Sequence, residues 1–215
     1  MDANATTPLL PEVFEAMRPF YMEHYGNASS IHQQGQQARA AVDQARDAIA
    51  RLLRCRSSEV VFTSGGTESD NLALFGILQG THAHSGATPH LITTSIEHHA
   101  VLHAAEALQK QGIEVTFLPC TPEGLVTPES LSAAMRPNTR LVSVMFANNE
   151  TGVIQPIAEL AAIAHQAGAL FHTDAVQAAG KLPLDLSPKG PLRDVDLATL
   201  SGHKIHAPKG IGALF

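Results

Sequence analysis

The chain has 215 residues, enough for one sizeable α/β domain with its own core. Hydrophobic residues make up 44% and charged residues 16% of the sequence, which is typical of a globular soluble chain and excludes intrinsic disorder. The net charge of -6, without any run of Lys and Arg, argues against a nucleic-acid partner. No apolar run approaches membrane-spanning length, so the sequence also predicts no membrane partner.

The two cysteines, Cys55 and Cys120, are far apart and outside any C-x-x-C pattern. Isolated thiols of this kind are typical of a reducing compartment and argue against a disulfide or a cysteine metal site. The N-terminus also lacks a charged and then apolar signal segment. These features predict a cytoplasmic location.

Periodicity and turn residues divide the chain into alternating helices and strands. Residues 1–8 predict an extended arm that ends at an X-Pro step, and residues 25–32 predict a loop of Gly, Asn and Ser. Thr127 and Pro128 together predict the start of a helix, as N-cap and first-turn proline. The predicted helices cover residues 12–20, 33–53, 67–78, 97–111, 127–135 and 157–166. The predicted strands cover residues 59–63, 91–94, 115–118, 141–146, 169–172, 197–200 and 211–215.

Strands that alternate with helices of about 10–15 residues indicate right-handed crossovers and a mostly parallel sheet with flanking helices. Sites in such α/β sheets form at the carboxyl ends of the strands. No linker or internal repeat divides the sequence, so residues 1–215 are predicted to form one domain. The sequence stops within the apolar strand 211–215, from which we expect this domain to be incomplete.

Lys204, in Ser201-Gly202-His203-Lys204, follows the predicted strand 197–200. An ammonium group that is desolvated at a strand end becomes a usable amine nucleophile, as a Schiff base with an aldehyde cofactor requires. The alternative is a solvated surface lysine, which is how most lysines occur.

Gly65-Gly66-Thr67 joins a predicted strand to a predicted helix. Two glycines, the free N–H groups of a helix N-terminus and the hydroxyls of Thr67 and Ser69 would together form an anion site. The pattern is neither G-x-G-x-x-G nor a P-loop. The alternative is an ordinary strand–helix turn with a hydroxyl cap.

His98, in Glu97-His98-His99, lies where a predicted strand gives way to a helix, and its imidazole is suited to lie flat against a planar ring. The alternative is a core or surface histidine without a ligand. His99 and His103 are four residues apart on the same helix, as in a metal pair. Neither an H-E-x-x-H pattern nor a cysteine cluster accompanies them, so we predict no metal site.

Two further strand ends carry polar residues. Asn148 and Asn149 follow the strand 141–146, where amides suit either ligand recognition or a plain turn. Asp174 and Gln177 follow the strand 169–172. A carboxylate in such an apolar setting needs a cation, and a pyridinium nitrogen is one, although an Asp here also suits a helix cap.

Seven motifs together resemble the successive signatures of the class V aminotransferase-like cysteine desulfurases of the NifS/IscS type. The resemblance runs over residues 1–215, in the family's order, and covers roughly the N-terminal half of such an enzyme. Two departures are GGT where many members have GAT, and a few extra residues around 187–193. The motifs are MDANATTP, GNASSIH, TSGGTESDNLA, EHHAVL, ANNETG, HTDAVQAAGKLPLDL and SGHKIHAPKGIGALF.

The resemblance implies the large domain of the fold-type I transferases, without their small C-terminal domain, and pyridoxal 5′-phosphate as the cofactor. It makes Lys204 the Schiff-base lysine and His98 the catalytic residue that stacks on the pyridine ring. Asp174 would pair with the ring nitrogen, Gln177 with the ring oxygen, and Asn149 with the ring oxygen or the substrate. The phosphate would be held by Gly66, Thr67, Ser201 and His203.

The implied reaction removes sulfur from L-cysteine and leaves alanine and an enzyme persulfide, which passes to a sulfur acceptor or an iron–sulfur scaffold protein. The resemblance also implies a homodimer, and it places Thr6-Thr7 and residues 27–32 at the substrate entrance. It puts the nucleophilic cysteine and the arginine for the substrate carboxylate in a C-terminal half. Cys55 and Cys120 match neither role.

Three other readings remain at this stage. A selenocysteine lyase would share these motifs and differ in its discrimination between selenium and sulfur. A catalytically incomplete fragment would bind pyridoxal phosphate or a partner without turnover. An unrelated nucleotide-binding α/β domain would require the motif matches to be accidental.

Overall fold

A seven-stranded sheet forms the middle of the protein, with helices against both faces. The computed structural model describes residues 2–85 and 87–215. The strands are β1 (Val61–Thr63), β2 (His90–Thr94), β3 (Glu114–Leu118), β4 (Thr139–Ser143), β5 (Leu170–Asp174), β6 (Leu197–Ser201) and β7 (Gly212–Leu214). The α-helices are α1 (Pro11–Met22), α2 (Gln33–Leu53), α3 (Gly66–Ser85), α4 (His99–Lys110), α5 (Pro128–Ala134) and α6 (Ile157–Gln166). Short 3-10 helices lie at Ser57–Glu59 and Gly202–Lys204.

The sheet is mostly parallel, as the sequence predicts. Its strands follow the order β1-β7-β6-β5-β4-β2-β3. The pairs from β6 to β3 are all parallel, whereas β7 pairs antiparallel with both β6 and β1. Because β7 runs against both neighbours, β1 points the same way as β6. The carboxyl ends of β1, β2, β4, β5 and β6 therefore share one edge of the sheet.

The core lies in two layers because neighbouring residues of a strand point to opposite faces of the sheet. Leu91 packs with α3 and α4 on one face, whereas Ile92 packs with α5 and α6 on the other. Leu141 and Val142 divide between the layers in the same way. Full burial of a side chain of this size contributes roughly 1.5–3 kcal/mol. Within the described parts of the chain, no helix is long and apolar enough to cross a membrane.

Several element boundaries differ from the predictions for local reasons. The predicted strand 59–63 begins only at Val61, since Ser57–Glu59 forms a 3-10 helix in which the Glu59 carboxylate accepts from the backbone N–H of Arg56 at 2.8 Å. The predicted helix 97–111 begins at His99, because His98 is its N-cap. By contrast, α2 and α6 have the predicted bounds, and Thr127 caps α5 by accepting from the Ser130 N–H at 3.2 Å.

The turn before α3 is held tightly against β7. A Cβ atom on Gly212 would lie 2.7 Å from the backbone of Gly65, closer than real Cβ contacts allow. Glycine at position 212 is what lets the two backbones approach. This approach fixes the N-terminus of α3 at the shared edge of the sheet, beside the turn that carries Lys204.

Candidate active site

A cavity of about 290 Å³ opens at the shared carboxyl edge of the sheet. The residues to which the resemblance gives a role in cofactor binding or catalysis all line it, although they come from five separate strand ends. This volume lies near the lower end of the roughly 300–1,000 Å³ that small-ligand sites span. The lining residues are Ala5, Gly66, Thr67, Asp70, His98, Met145, Ala147, Asn149, Asp174, Val176, Gln177, Ser201, His203 and Lys204.

Lys204 ends the 3-10 helix that follows β6, and its side chain is half-buried at the cavity. Burial lowers the pKa of its ammonium group, and the nearby positive charge of Lys181 lowers that pKa further. The carboxylates of Asp174 and Asp2 act in the opposite direction. The lysine is therefore nearer to its free-amine form than a surface lysine, which is what a nucleophilic amine needs.

Asp174 ends β5 and is 6% exposed on the cavity floor. Its Oδ1 accepts a hydrogen bond from the backbone N–H of Val176 at 2.9 Å. Burial raises the pKa of Asp174 to about 6, against the opposing effects of that hydrogen bond and of Lys204. At neutral pH the floor thus holds a buried carboxylate, which favours a cationic partner.

The N-terminus of α3 provides the anion-binding end of the cavity. Gly66 and Thr67 begin the helix there, across from Ser201 and His203. A Cβ on Gly66 would lie 2.9 Å from Cγ2 of Val176, so a larger residue would intrude into this end. The expected contribution of Ser69 is wrong, because its buried hydroxyl is paired with Thr63 Oγ1 at 2.8 Å rather than lining the cavity.

The ring of His98 is fixed by its role as the N-cap of α4. Its Nδ1 accepts from the backbone N–H of Ala100 at 3.1 Å, so the neutral ring carries its proton on Nε2. Burial lowers the pKa of His98, and the neighbouring His99 and Lys204 lower it further. His99 and His103 stack with ring centroids 5.0 Å apart and are not among the residues that line the cavity.

Only one of the two consecutive amides lies at the cavity. Asn149 lines it, whereas Asn148 is buried and holds its own turn. Asn148 Oδ1 accepts from the N–H groups of Glu150 and Thr151, both at 2.9 Å, and its Nδ2 donates to the Ile96 carbonyl at 3.0 Å. The turn interpretation therefore holds for Asn148, and the ligand interpretation stays open for Asn149.

The N-terminal arm reaches the site through Asn4, which the sequence analysis did not single out. The Asn4 carbonyl accepts from Lys204 Nζ and, at 2.8 Å, from Gln177 Nε2. The next threonine pair anchors the arm, since the Thr7 N–H and hydroxyl both donate to the His203 carbonyl at 2.9 Å. Residues 27–32, Cys55 and Cys120 are not among the residues that line the cavity.

Comparison with known proteins identifies the family from which this arrangement comes. The family model for class-V aminotransferases matches residues 1–215. The chain belongs to the class-V aminotransferase family. Enzymes of this family depend in general on pyridoxal phosphate, which agrees with a cavity that combines an amine, an anion-binding helix N-terminus and a buried carboxylate.

Curated relatives in the family are named cysteine desulfurase IscS. One from Dictyoglomus turgidum is 48% identical over 215 residues, and one from Methanosarcina thermophila is 49% identical over 215 residues. These matches cover 100% of this chain but 53% and 52% of the two relatives. The chain thus spans about half the length of the curated relatives that it matches.

Solved structures agree with the fold. The structure titled SspA in complex with cysteine matches with a TM-score of 0.94 and 39% identity, over 100% of this chain and 60% of that one. A NifS-like protein matches with a TM-score of 0.93 and 39% identity, over 100% of this chain and 57% of that one. The predicted class V, NifS/IscS-type resemblance and its fold are confirmed.

Proposed function

We propose that this chain forms the pyridoxal 5′-phosphate site of a cysteine desulfurase, which moves sulfur from L-cysteine to an enzyme cysteine and leaves L-alanine. The observation that carries the proposal is the single cavity, in which residues from five strand ends meet. The relatives named cysteine desulfurase IscS and the cysteine complex of SspA support the substrate. A homodimer and a sulfur-acceptor or iron–sulfur scaffold partner belong to the same proposal.

The residues present fit pyridoxal phosphate. The first turn of α3 with Ser201 and His203 suits a phosphate group, and glycine at position 66 keeps this end of the cavity unobstructed, since a Cβ there would lie 2.9 Å from Val176 Cγ2. Asp174 suits the protonated ring nitrogen, because a buried carboxylate needs a cation. Lys204 suits the aldehyde. When bound, this cofactor acts as an electron sink for bonds at the amino-acid carbons.

The chain's own residues would orient the cofactor and manage the protons of the reaction. His98 would lie on one face of the ring with Nε2–H free to donate, since Nδ1 is already occupied by the Ala100 N–H. Gln177 would donate from Nε2 to the ring oxygen, and Asn149 would contact that oxygen or the substrate. Lys204, whose pKa burial lowers, would hold and release a proton at Nζ as a general base.

Sulfur transfer needs a thiolate that reaches the substrate. In the balanced reaction, the Cβ–S bond of L-cysteine breaks and the sulfur forms an S–S bond with an enzyme cysteine, giving a persulfide and alanine. Cys55 and Cys120 lie outside the cavity, and burial raises the pKa of Cys55, which disfavours its thiolate. We therefore expect this chain to supply cofactor binding and proton transfer, and neither Cys55 nor Cys120 to accept the sulfur.

The proposal is tested by loading the purified chain with pyridoxal phosphate and removing the free cofactor by gel filtration. We expect about one cofactor to remain per chain, and added L-cysteine to change its visible absorbance, because the substrate amine would compete with Lys204 for the cofactor aldehyde. The control 3-mercaptopropionate has the thiol and carboxylate of cysteine without its amine and should leave the spectrum unchanged. A chain that retains no cofactor, or responds equally to both compounds, would contradict the proposal.

A further inference from the structure

A second carboxyl group lies in the cavity, and no role has been given to it so far. Asp70 is in the second turn of α3, is 1% exposed, and lines the same cavity as Asp174. Among the described residues, its Oδ1 has no hydrogen-bond partner. Buried side-chain oxygens are almost always paired, so an unpaired one at a cavity indicates a ligand-facing group.

The surroundings of Asp70 favour its neutral form. His172 Nε2 lies 3.6 Å from Asp70 Oδ1, but burial lowers the pKa of His172 to about 3, so this contact is not an ion pair at neutral pH. Asp174 and Glu97 face Asp70 with further carboxyl groups. Burial first, and then the negative charge of Asp174, raises the pKa of Asp70 well above its ordinary value, despite a hydrogen bond with Thr199.

The two acids differ in what stabilises their charge. Asp174 accepts the Val176 N–H and faces Lys204, whereas Asp70 has neither of these contacts among the interactions that shift its pKa. Two carboxyl groups that share a desolvated site do not both ionise. The contacts at the cavity floor therefore favour the negative charge on Asp174 over one on Asp70.

We propose that Asp70 is a positioning residue for the cofactor, which as a neutral polar group beside Asp174 keeps that carboxylate solvated and ionised for the ring nitrogen. The inference rests on the proposed function. An apolar side chain of similar size at position 70 would desolvate Asp174 further and favour its protonated form. An amide would preserve the neutral polar contact.

The test measures pyridoxal phosphate affinity against pH, from 5 to 9, for the wild-type chain, Asp70→Asn and Asp70→Leu. Affinity should rise as Asp174 ionises, and the midpoint for Asp70→Leu should lie higher than for wild type by about one pH unit. Asp70→Asn should keep the wild-type midpoint. Titration of the cofactor itself affects all three chains equally, so a difference in midpoint between them is due to the protein.

The neighbouring Ser69→Ala is the matched control, because it removes a buried hydrogen bond of α3 that lies outside the cavity. It should lower the melting temperature without moving the midpoint, which separates positioning from a merely structural effect. If wild type binds and Asp70→Leu keeps its midpoint, or Asp70→Asn moves as far as Asp70→Leu, the inference is wrong and the proposed function stands. If the wild-type chain does not bind pyridoxal phosphate, both the inference and the proposed function are wrong.

A second measurement does not depend on the folding of Asp70→Leu. The infrared difference spectrum of loaded wild type minus loaded Asp70→Asn, recorded at pH 7, should show the carbonyl stretch of a protonated carboxyl group. Glu97 is present in both chains and cancels. A carboxylate band in its place would overturn the inference, because Asp70 would then carry a charge.

Discussion

The two edges of the sheet differ in the hydrogen bonding of their buried polar groups. At the amino edge, His90 begins β2 and is fully buried, with Nδ1 paired to Thr139 Oγ1 at 2.9 Å and Nε2 paired to Thr116 Oγ1 at 2.8 Å. At the carboxyl edge, Asp70 Oδ1 and Glu97 Oε2 are buried without a partner among the described residues. Both edges bury polar atoms, but these two unpaired carboxyl oxygens lie at the carboxyl edge.

This difference distinguishes a structural polar group from a functional one. A satisfied buried group contributes to stability or is neutral, whereas an unsatisfied one costs about 1–3 kcal/mol. A protein retains such a destabilising group where the group has a function. Acids and bases with perturbed pKa values are therefore concentrated at functional sites. Changes at the carboxyl edge should therefore affect cofactor binding, and changes at the amino edge should affect only stability.

The largest expected effect is at Asp174. Replacement by Asn removes the charge that would pair with the ring nitrogen, and removing one partner of a buried ion pair costs about 3–5 kcal/mol. We expect pyridoxal phosphate affinity to fall at least about 100-fold by equilibrium titration. Asp185→Asn is the matched control, because Asp185 lies outside the cavity and should leave affinity unchanged. Equal affinity in the two variants would remove Asp174 from the site.

A substitution at the amino edge should lower stability and leave cofactor affinity unchanged. His90→Ala removes the imidazole that pairs with the buried Thr139 hydroxyl and the half-buried Thr116 hydroxyl, so the free energy of unfolding should fall by about 1–3 kcal/mol. Urea unfolding measures this loss. Cofactor affinity should stay within about twofold of wild type. A loss of affinity as large as that of Asp174→Asn would break the distinction between the edges.

The third expected effect concerns pH. Glu97 Oε1 accepts from Thr94 Oγ1 and the Met145 N–H, and burial raises the pKa of Glu97 to about 8. A carboxyl group whose pKa is higher in the folded than in the unfolded chain contributes stability that is fully present below its unfolded-state pKa. This contribution is lost as the pH rises through its folded-state pKa. Between pH 6.5 and 8, we expect the protonated Glu97 carboxyl group to contribute a fall of up to about 1.4 kcal/mol per pH unit to the unfolding free energy of the cofactor-free chain.

A comparison of wild type with Glu97→Gln separates the Glu97 carboxyl group from the buried histidines. Burial lowers the pKa of His90 to about 4 and of His172 to about 3, so both are neutral in this pH range in the folded chain. Their ordinary pKa of about 6.5 leaves them partly protonated in the unfolded chain near pH 6.5, but this contribution is the same in wild type and Glu97→Gln and cancels in the comparison. Glu97→Gln should remove one carboxyl group's share of the slope while keeping stability near that of wild type at pH 7. An unchanged slope would mean that Glu97 is ionised when folded.

The smallest expected effect on the site is that of a substitution in the apolar groove between α1 and α2. Phe20, Tyr25, Val42 and Ile211 line this groove of about 770 Å³. Exposed apolar surface of this kind favours association, so light scattering should find dimers or larger species. Phe20→Glu should reduce that association and leave cofactor affinity unchanged. A monodisperse wild-type monomer would contradict the expectation of self-association.

Much of the fold follows from local patterns. The helical spacing of small apolar residues gives the bounds of α2, and Thr127 with Pro128 gives the start of α5, because both signals act within one element. The site also follows in outline, since motifs at the ends of parallel strands must meet at one edge. The order of the strands and the insertion of antiparallel β7 between β1 and β6 depend on pairing between distant residues, which the sequence pattern does not specify.

The remaining details depend on tertiary contacts. Ser69 lies in the glycine-rich motif, yet its hydroxyl pairs with Thr63, and Asn148 closes a turn while Asn149 lines the cavity. Neighbouring residues of one motif thus diverge according to which way each side chain points. Asn4 reaches Lys204 across almost the whole length of the chain, a contact that no local spacing predicts. In TESDNLA, an acid beside other polar residues resembles an ordinary exposed helix position, which is why Asp70 was missed.

The most direct test of the account is to load the chain with pyridoxal phosphate, reduce it with borohydride and map the labelled peptide. We expect a single adduct on Lys204, and we expect Lys204→Ala to abolish it. Lys181→Ala, the matched change at the nearby lysine, should retain the adduct. Labels scattered over surface lysines, or an adduct that survives in Lys204→Ala, would show that the cavity at the carboxyl edge is not the cofactor site.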